Sequence, residues 1–489
     1  MTAHDLAAPT APPTTASRRI KDLPGPRAWP LVGNMLQVRP ARLHRDVEQW
    51  SRKYGPFSRF YMGRTCVFVV ADHKAVSQIL RDRPDGFRRP SVTAAVSAEM
   101  GGDPGLFLVE GSEWRKQRRM VMPAFSAQAI KGYFPLLTRV ALRLRARWAA
   151  ATRAGQTVDL SDDLKRYSVD IIAALALGTE VNTMDSGEDP LHKHIDVVMS
   201  AVARRSVMPI PYWRYIKLPA DRRLERSLLA LQTTIIDLVG RGRARLDADP
   251  ARRAAPPNLL EAMLVAADEE GSGVDDRTVV GNVSTMLLAG EETTANSLAW
   301  LLYLLSRNPA ALQAAQSEVR RVAPDLAALR IEQIDAMSYL DACVQESMRL
   351  KPVAPFMPLE ALRDTTVADI HVPKGALLWC VMRHDSVDER WMPDATAFSP
   401  QRWLPTSDGA ASVEKGAVLP FGGGPRLCPG RYLSLLEIKV ATAMLLSSFD
   451  LIAVDTPDGK DAQEQMDFVM SPVGLTMRLR PRPGVPGPA

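Results

Sequence analysis

Cysteine is scarce in this 489-residue chain, and the four present, at positions 66, 343, 380 and 428, form no CxxC pair and no dense framework. That excludes a disulfide-stapled secreted scaffold and suits a reducing compartment. Long apolar runs are missing too. The most apolar internal stretch, 283–290, is cut off by Glu291 and Glu292, which fits a buried amphipathic helix and not a membrane span. The first 22 residues, rich in Ala, Pro and Thr, lack the apolar core of a signal peptide and read as a flexible tail. Charge of one sign is not concentrated either. The net charge is +6, and basic residues cluster only briefly, as at Arg115, Lys116, Arg118 and Arg119, so nucleic acid is not an expected partner. A cytoplasmic, monomeric protein is expected.

What is present is length and a helix-forming composition. With 46% apolar and 24% charged residues the chain is an ordinary globular protein with enough material for a large core. Order is expected from Leu23-Pro24-Gly25-Pro26 onward. Two runs rich in β-branched and aromatic residues, 58–62 and 66–70, flank Gly63-Arg64 and predict a β-hairpin. Apolar residues at threes and fours predict helices over most of 127–308. The last of these is long, capped by Asp275 or Asp276 and running to about 306, and Asn308-Pro309 opens another. A helix over 337–350, short strands at 365–372 and 376–381, a long irregular segment and a final helix over 429–447 follow. There is no internal repeat. The reading is a mainly α fold, one large α-rich domain with a small β region over 23–489.

The irregular segment ends in Phe421-Gly422-Gly423-Gly424-Pro425-Arg426-Leu427-Cys428-Pro429-Gly430. A cysteine where a loop opens into a helix meets free amides and the positive end of the helix dipole, which favour the thiolate that binds metal. The preceding glycines let the backbone approach a flat cofactor and aim amides at the sulfur. For a lone cysteine, a glycine-rich turn with a buried thiol is the plainer reading; here the whole spaced pattern carries the argument. In the middle of the long helix, Ala289-Gly290-Glu291-Glu292-Thr293-Thr294 puts acids, hydroxyls and a glycine among apolar neighbours. Thr293 can bond back to the Ala289 carbonyl and loosen the helix, and Glu292 with Thr293 can pass protons. The alternative is an exposed polar turn.

Residues 421–430 resemble the haem-binding loop of the cytochrome P450 family, and 289–294 resemble its oxygen-activation motif, the acid and the following Thr matching Glu292 and Thr293. Trp114-Arg115-Lys116-Gln117-Arg118 is similar to the family's propionate-binding helix, through Trp114 and Arg118. Glu346 and Arg349, with Arg402 in the run 398–403, match a buried ion network that supports the loop carrying the cysteine. Two departures stand out: Gln401 takes a position where Glu is commoner, and Arg383-His384-Asp385 breaks the usual order. The resemblance covers about 24–480.

It implies a haem b enzyme with Cys428 as the metal ligand and Trp114, Arg118, Ala289, Gly290, Phe421, Arg426 and Gly430 around the cofactor. Thr293 and Glu292 would be catalytic. The implied reaction is a monooxygenation, hydroxylation or epoxidation, of a hydrophobic small molecule. Met286, Ala289, Val353, Phe356 and Met357, with segments 88–108 and 466–475, are the candidate pocket. No flavin or nicotinamide fingerprint is present, so NAD(P)H is expected to act only indirectly, through a separate ferredoxin or flavodoxin and its reductase, docking near Arg115, Lys116 and Arg119. A peroxide-driven or isomerising haem-thiolate enzyme and a haem sensor with Cys428-Pro429 as a labile ligand are the competing readings.

Overall fold

The computed structural model describes residues 18–178, 182–185, 190–208, 211–325, 328–405 and 414–482. Its axis is the helix Asp276–Arg307. Asp275 caps it by accepting from the Thr278 amide at 2.9 Å, satisfying one of the amides a helix start leaves free. From Thr294 to Leu305 every residue is buried, a helix wrapped on all sides by others. It packs against Leu160–Leu177, Ser338–Leu350 and the terminal helix Arg431–Ser448. Among the described residues no helix is long and apolar enough to cross a membrane.

The predicted hairpin is Phe57–Met62 paired antiparallel with Thr65–Val70. It belongs to a five-stranded sheet that continues through Leu377–Val381 and Phe356–Ala361 to Phe87–Arg88. Strand alternation explains why 67–70 are all apolar. Phe68 and Val70 enter one core cluster and Val67 and Val69 another, so both faces of the strand are covered. The expected 365–372 strand is itself a hairpin, Thr365–Val367 with Ile370–Val372.

Two boundaries differ from expectation. Residues 18–22, expected within the tail, are placed in the fold. Arg18 and Arg19 pair in parallel with Ile370 and His371, Arg18 forks onto Asp369 at 2.6 and 2.8 Å, and Ile20 is buried. An apolar side chain with a place in the core outweighs the disorder that the composition suggests; residues 1–17 lie outside the described ones. The terminal helix, expected from about 429, starts at Arg431 with Gly430 as its cap, so Cys428 stands two residues ahead of the cap.

The long segment after the sheet is held by buried charge. Arg349 forks onto Glu346 at 2.7 and 2.8 Å and donates to the carbonyls of Ser386, Ala395 and Ala397. Arg402 reaches Glu346 at 2.9 Å and the carbonyls of Pro393 and Asp394, while Trp403 Nε1 and the Ser399 amide also donate to Glu346. Burial pushes the Glu346 carboxyl up, but these donors outweigh it and hold it below its ordinary value. Gln401 is outside the network, donating to the Tyr339 hydroxyl. Arg383 serves a second one, bridging Glu48 and Glu464 at 2.8 to 3.0 Å.

Candidate functional site

A cavity of about 980 Å³ lies between the central helix and the loop 419–430. That is the upper end of the size range for small-molecule sites. Cys428, Phe421, Gly430, Arg426, Trp114 and Arg118 line one part of it, and Ala289, Gly290, Glu292 and Thr293 another. The ten sequence-predicted site residues, drawn from three distant stretches of chain, therefore surround one space. Met286, Val353, Phe356 and Met357 line it as well, with Leu106 and Phe107 and the hairpin tip at Met466, Asp467, Phe468 and Val469.

Cys428 has accessible surface and yet lies deep within the chain, because what it faces is this cavity. Its amide donates to the Phe421 carbonyl at 3.1 Å, closing the loop. The amides aimed at its sulfur come from Gly430 and Arg431, after the cysteine, and not from the glycines before it. Those glycines answer another need. Gly424 has φ +65, and a β-carbon there would meet the Leu80 carbonyl oxygen at 2.2 Å. Burial pushes the Cys428 thiol up, opposed by the two amides and by Arg118. The chain alone thus favours the thiol, contrary to the helix-dipole expectation, and metal binding would release the proton.

Arg426 stacks on Trp114, 5.3 Å from the ring centroid, pairs with Glu110 and donates to the carbonyls of Leu106 and Val109 at 2.9 Å. Much of its donor capacity is spent within the chain. The Arg118 side chain makes no hydrogen bond or ion pair among the described residues, and burial lowers its pKa while the Cys428 sulfur raises it.

Across the cavity, Thr293 Oγ1 donates to the Ala289 carbonyl at 2.7 Å, as the sequence suggested, and the helix stays continuous. Gly290 answers helix packing, since a β-carbon would sit 3.0 Å from Ile172. Glu292 Oε1 lies 3.6 Å from Lys165 Nζ, which also holds Asp196 at 3.1 Å. Burial raises the Glu292 pKa, Lys165 lowers it and Asp196 raises it again; the net direction is up.

Sequence reasoning missed Glu437. It is buried on the terminal helix, lines the cavity and is linked to Thr294, whose hydroxyl sits 3.1 Å from that of Ser434. The signal was available: one acid in the otherwise apolar run 435–438.

A cysteine sulfur facing a large apolar cavity, basic and aromatic side chains beside it and a hydroxyl-bearing helix opposite together fit a flat, anionic, metal-bearing cofactor such as haem. Arg83, buried with two unbonded N–H groups on the same cavity, adds a donor such a group would satisfy. Residues 23–479 match the cytochrome P450 family model, and the chain belongs to that family of haem-thiolate monooxygenases. It is 28% identical over 486 residues to a bifunctional cytochrome P450/NADPH–P450 reductase of Gibberella moniliformis, and 27% identical over 456 residues to the self-sufficient cytochrome P450 monooxygenase CYP505AG1 of Oidiodendron maius. Those matches cover 96% and 91% of this chain but 42% and 41% of the relatives, so the chain spans less than half their length. The crystal structure of the cytochrome P450DA heme domain superimposes with a TM-score of 0.82 at 25% identity, over 95% of this chain and 99% of that one.

Proposed function

We propose that the chain inserts one oxygen atom from O₂ into a hydrophobic small molecule, using haem b held by Cys428. The observation that carries this reading is that Cys428 and the residues Ala289, Gly290, Glu292 and Thr293 line one cavity. Haem supplies oxygen activation when bound, and a thiolate ligand pushes electron density toward O–O cleavage. The overall balance is substrate, O₂, two electrons and two protons to hydroxylated or epoxidised product and water.

The chain's own residues do the rest. Of the residues that line the cavity, Phe421, Gly430, Ala289 and Gly290 would pack against the cofactor, and Trp114, Arg118 and Arg426 would hold its acidic groups. Glu292, whose raised pKa lets it hold a proton, passes it toward Thr293 Oγ1; Lys165 and Asp196 lead outward from it. The largely apolar lining excludes water and favours an apolar substrate.

Electrons come from NAD(P)H through a redox partner. The ferredoxin or flavodoxin route now competes with an NADPH–P450 reductase of the kind the fusion relatives are named for. Charge around the expected docking helix is mostly spent: Arg115 forks onto Asp85 and Lys116 lies 3.6 Å from Glu113, which leaves Arg119. A cytoplasmic site of action fits the absence of a spanning helix among the described residues and four unpaired cysteines.

The test is turnover of a compound library with NADPH and each partner class under ¹⁸O₂. One labelled oxygen in the product supports the reading; turnover with peroxide alone, without label from O₂, sinks it. Cys428→Ser should abolish the reduced, CO-bound band characteristic of thiolate-ligated haem.

A further inference from the structure

One stretch of the cavity wall has no regular structure and is nevertheless buried. Residues 103–110 lead into the helix Gly111–Val121 without forming a helix or strand, yet Gly105, Leu106 and Val109 are buried, and Leu106 and Phe107 line the cavity. A segment in such a place must find partners for its backbone inside the protein. Leu106 finds them on two sides. Its amide donates to Asn282 Oδ1 on the central helix at 3.0 Å, and its carbonyl accepts from Arg426 Nη2 at 2.9 Å.

Asn282 is held for this task by its own neighbours. It is 1% exposed, and its Nδ2 donates to the Thr278 carbonyl at 2.8 Å and to Gln117 Oε1 at 2.9 Å. A carbonyl only accepts, so the amide nitrogen must face Thr278, and Oδ1 is left for the Leu106 amide. Gln117, also buried, donates from Nε2 to the Pro104 carbonyl at 3.3 Å. Two coupled amide side chains therefore grip the segment at Pro104 and at Leu106. Close packing seals the same contact. A β-carbon on Gly105 would meet Thr285 Oγ1 at 2.1 Å and the Gly281 carbonyl oxygen at 2.3 Å, and one on Gly281 would meet the Asp103 carbonyl oxygen at 2.7 Å. Backbone lies against backbone here, which only glycine permits. Beyond this anchor, Phe107 packs on Phe468 of the hairpin tip, their ring centroids 5.8 Å apart, so two cavity-lining segments meet through it.

We propose that Asn282 is a positioning residue for the oxygenation: by fixing Leu106 and Phe107 on the cavity wall, it pre-forms an apolar surface against which the substrate packs. This rests on the haem monooxygenase reading. A wall ordered before the substrate arrives spares the cost of ordering it on binding. The sequence hides the role, because Asn282 lies outside the segments that resemble family motifs and its partners come from another part of the chain.

The experiment uses the holoenzyme and two probes that ligate ferric haem through a ring nitrogen, imidazole and 4-phenylimidazole. Imidazole reports access to the iron, and the phenyl ring adds contact with the wall. In Asn282→Leu, 4-phenylimidazole is expected to bind about tenfold more weakly, the effect of one lost buried hydrogen bond, with imidazole binding unchanged. The amides of 105–109 are expected to exchange hydrogen faster while those of the central helix stay protected. Asn282→Asp keeps the acceptor for Leu106 and, as a buried protonated acid, a donor for Thr278, so it should restore most of the phenylimidazole affinity. Gly105→Ala lifts the segment off the helix without touching Asn282 and must give the same selective loss, which decides the matter if Asn282→Leu does not fold. Equal weakening of both probes, or of neither, overturns the proposal, as does Asn282→Asp behaving like Asn282→Leu, which marks a plain packing role. If the unsubstituted chain shows no spectral change with imidazole, the haem reading itself falls, and that outcome is distinct from the others.

Discussion

Lys165 Nζ stands 3.6 Å from Glu292 Oε1, tying the helix Leu160–Leu177 to the acid beside Thr293. The ammonium is the main group that opposes the effect of burial on that carboxyl. Lys165→Met should therefore raise the Glu292 pKa further. The limb of the pH–rate profile that depends on protonated Glu292 is expected to move to higher pH, and a profile that stays in place would separate Glu292 from the rate. Glu292→Gln should slow turnover about 10²-fold or more, the usual size of a lost acid–base group, with substrate binding retained in a spectral titration.

Glu346→Ala leaves Arg349 and Arg402 buried without their shared carboxylate. Breaking a buried charge network by removing one partner costs about 3–5 kcal/mol. We expect a lower denaturant midpoint and weaker haem retention, because the carbonyls that Arg349 holds belong to the segment leading to Cys428. A midpoint within error of the parent would show that the network is dispensable.

Glu437 gives a pH prediction with a definite sign. Burial raises its carboxyl from 4.5 to about 8, so between those values the unfolded chain releases a proton that the folded chain keeps. Its contribution is fully present below pH 4.5 and is lost as pH rises through 8. Relative to Glu437→Gln, the parent should lose stability on the order of 4 kcal/mol across that window. Urea midpoints at pH 5 and pH 8 measure it, and parallel curves for the two proteins would refute it.

Ile20→Ala tests the shortened tail. Ile20 and Leu23 share a core cluster with Phe68, Val70 and Leu359. Truncating a buried Ile costs about 2–5 kcal/mol, with the lower end expected near a terminus. No change in melting temperature would return residues 18–22 to the tail.

The sequence by itself determined the elements that local chemistry dictates. The central helix follows from its periodicity and Asp275 cap, the hairpin from alternation about Gly63, and Cys428 from a spaced pattern within ten residues. Even the Thr293 to Ala289 bond was legible, since both partners sit one helical turn apart. What lies around those elements was decided by tertiary structure. Arg426 meets Glu110 across 316 positions, Arg383 meets Glu48 across 335, and Lys165 reaches Glu292 from another helix. No local period encodes such partners. The ionisation of Cys428 shows the same division. The start of the terminal helix supplies the amides, where the sequence also pointed to the glycines before the cysteine, but burial in the folded chain outweighs them, because desolvation depends on everything packed around the sulfur and not on the residues beside it.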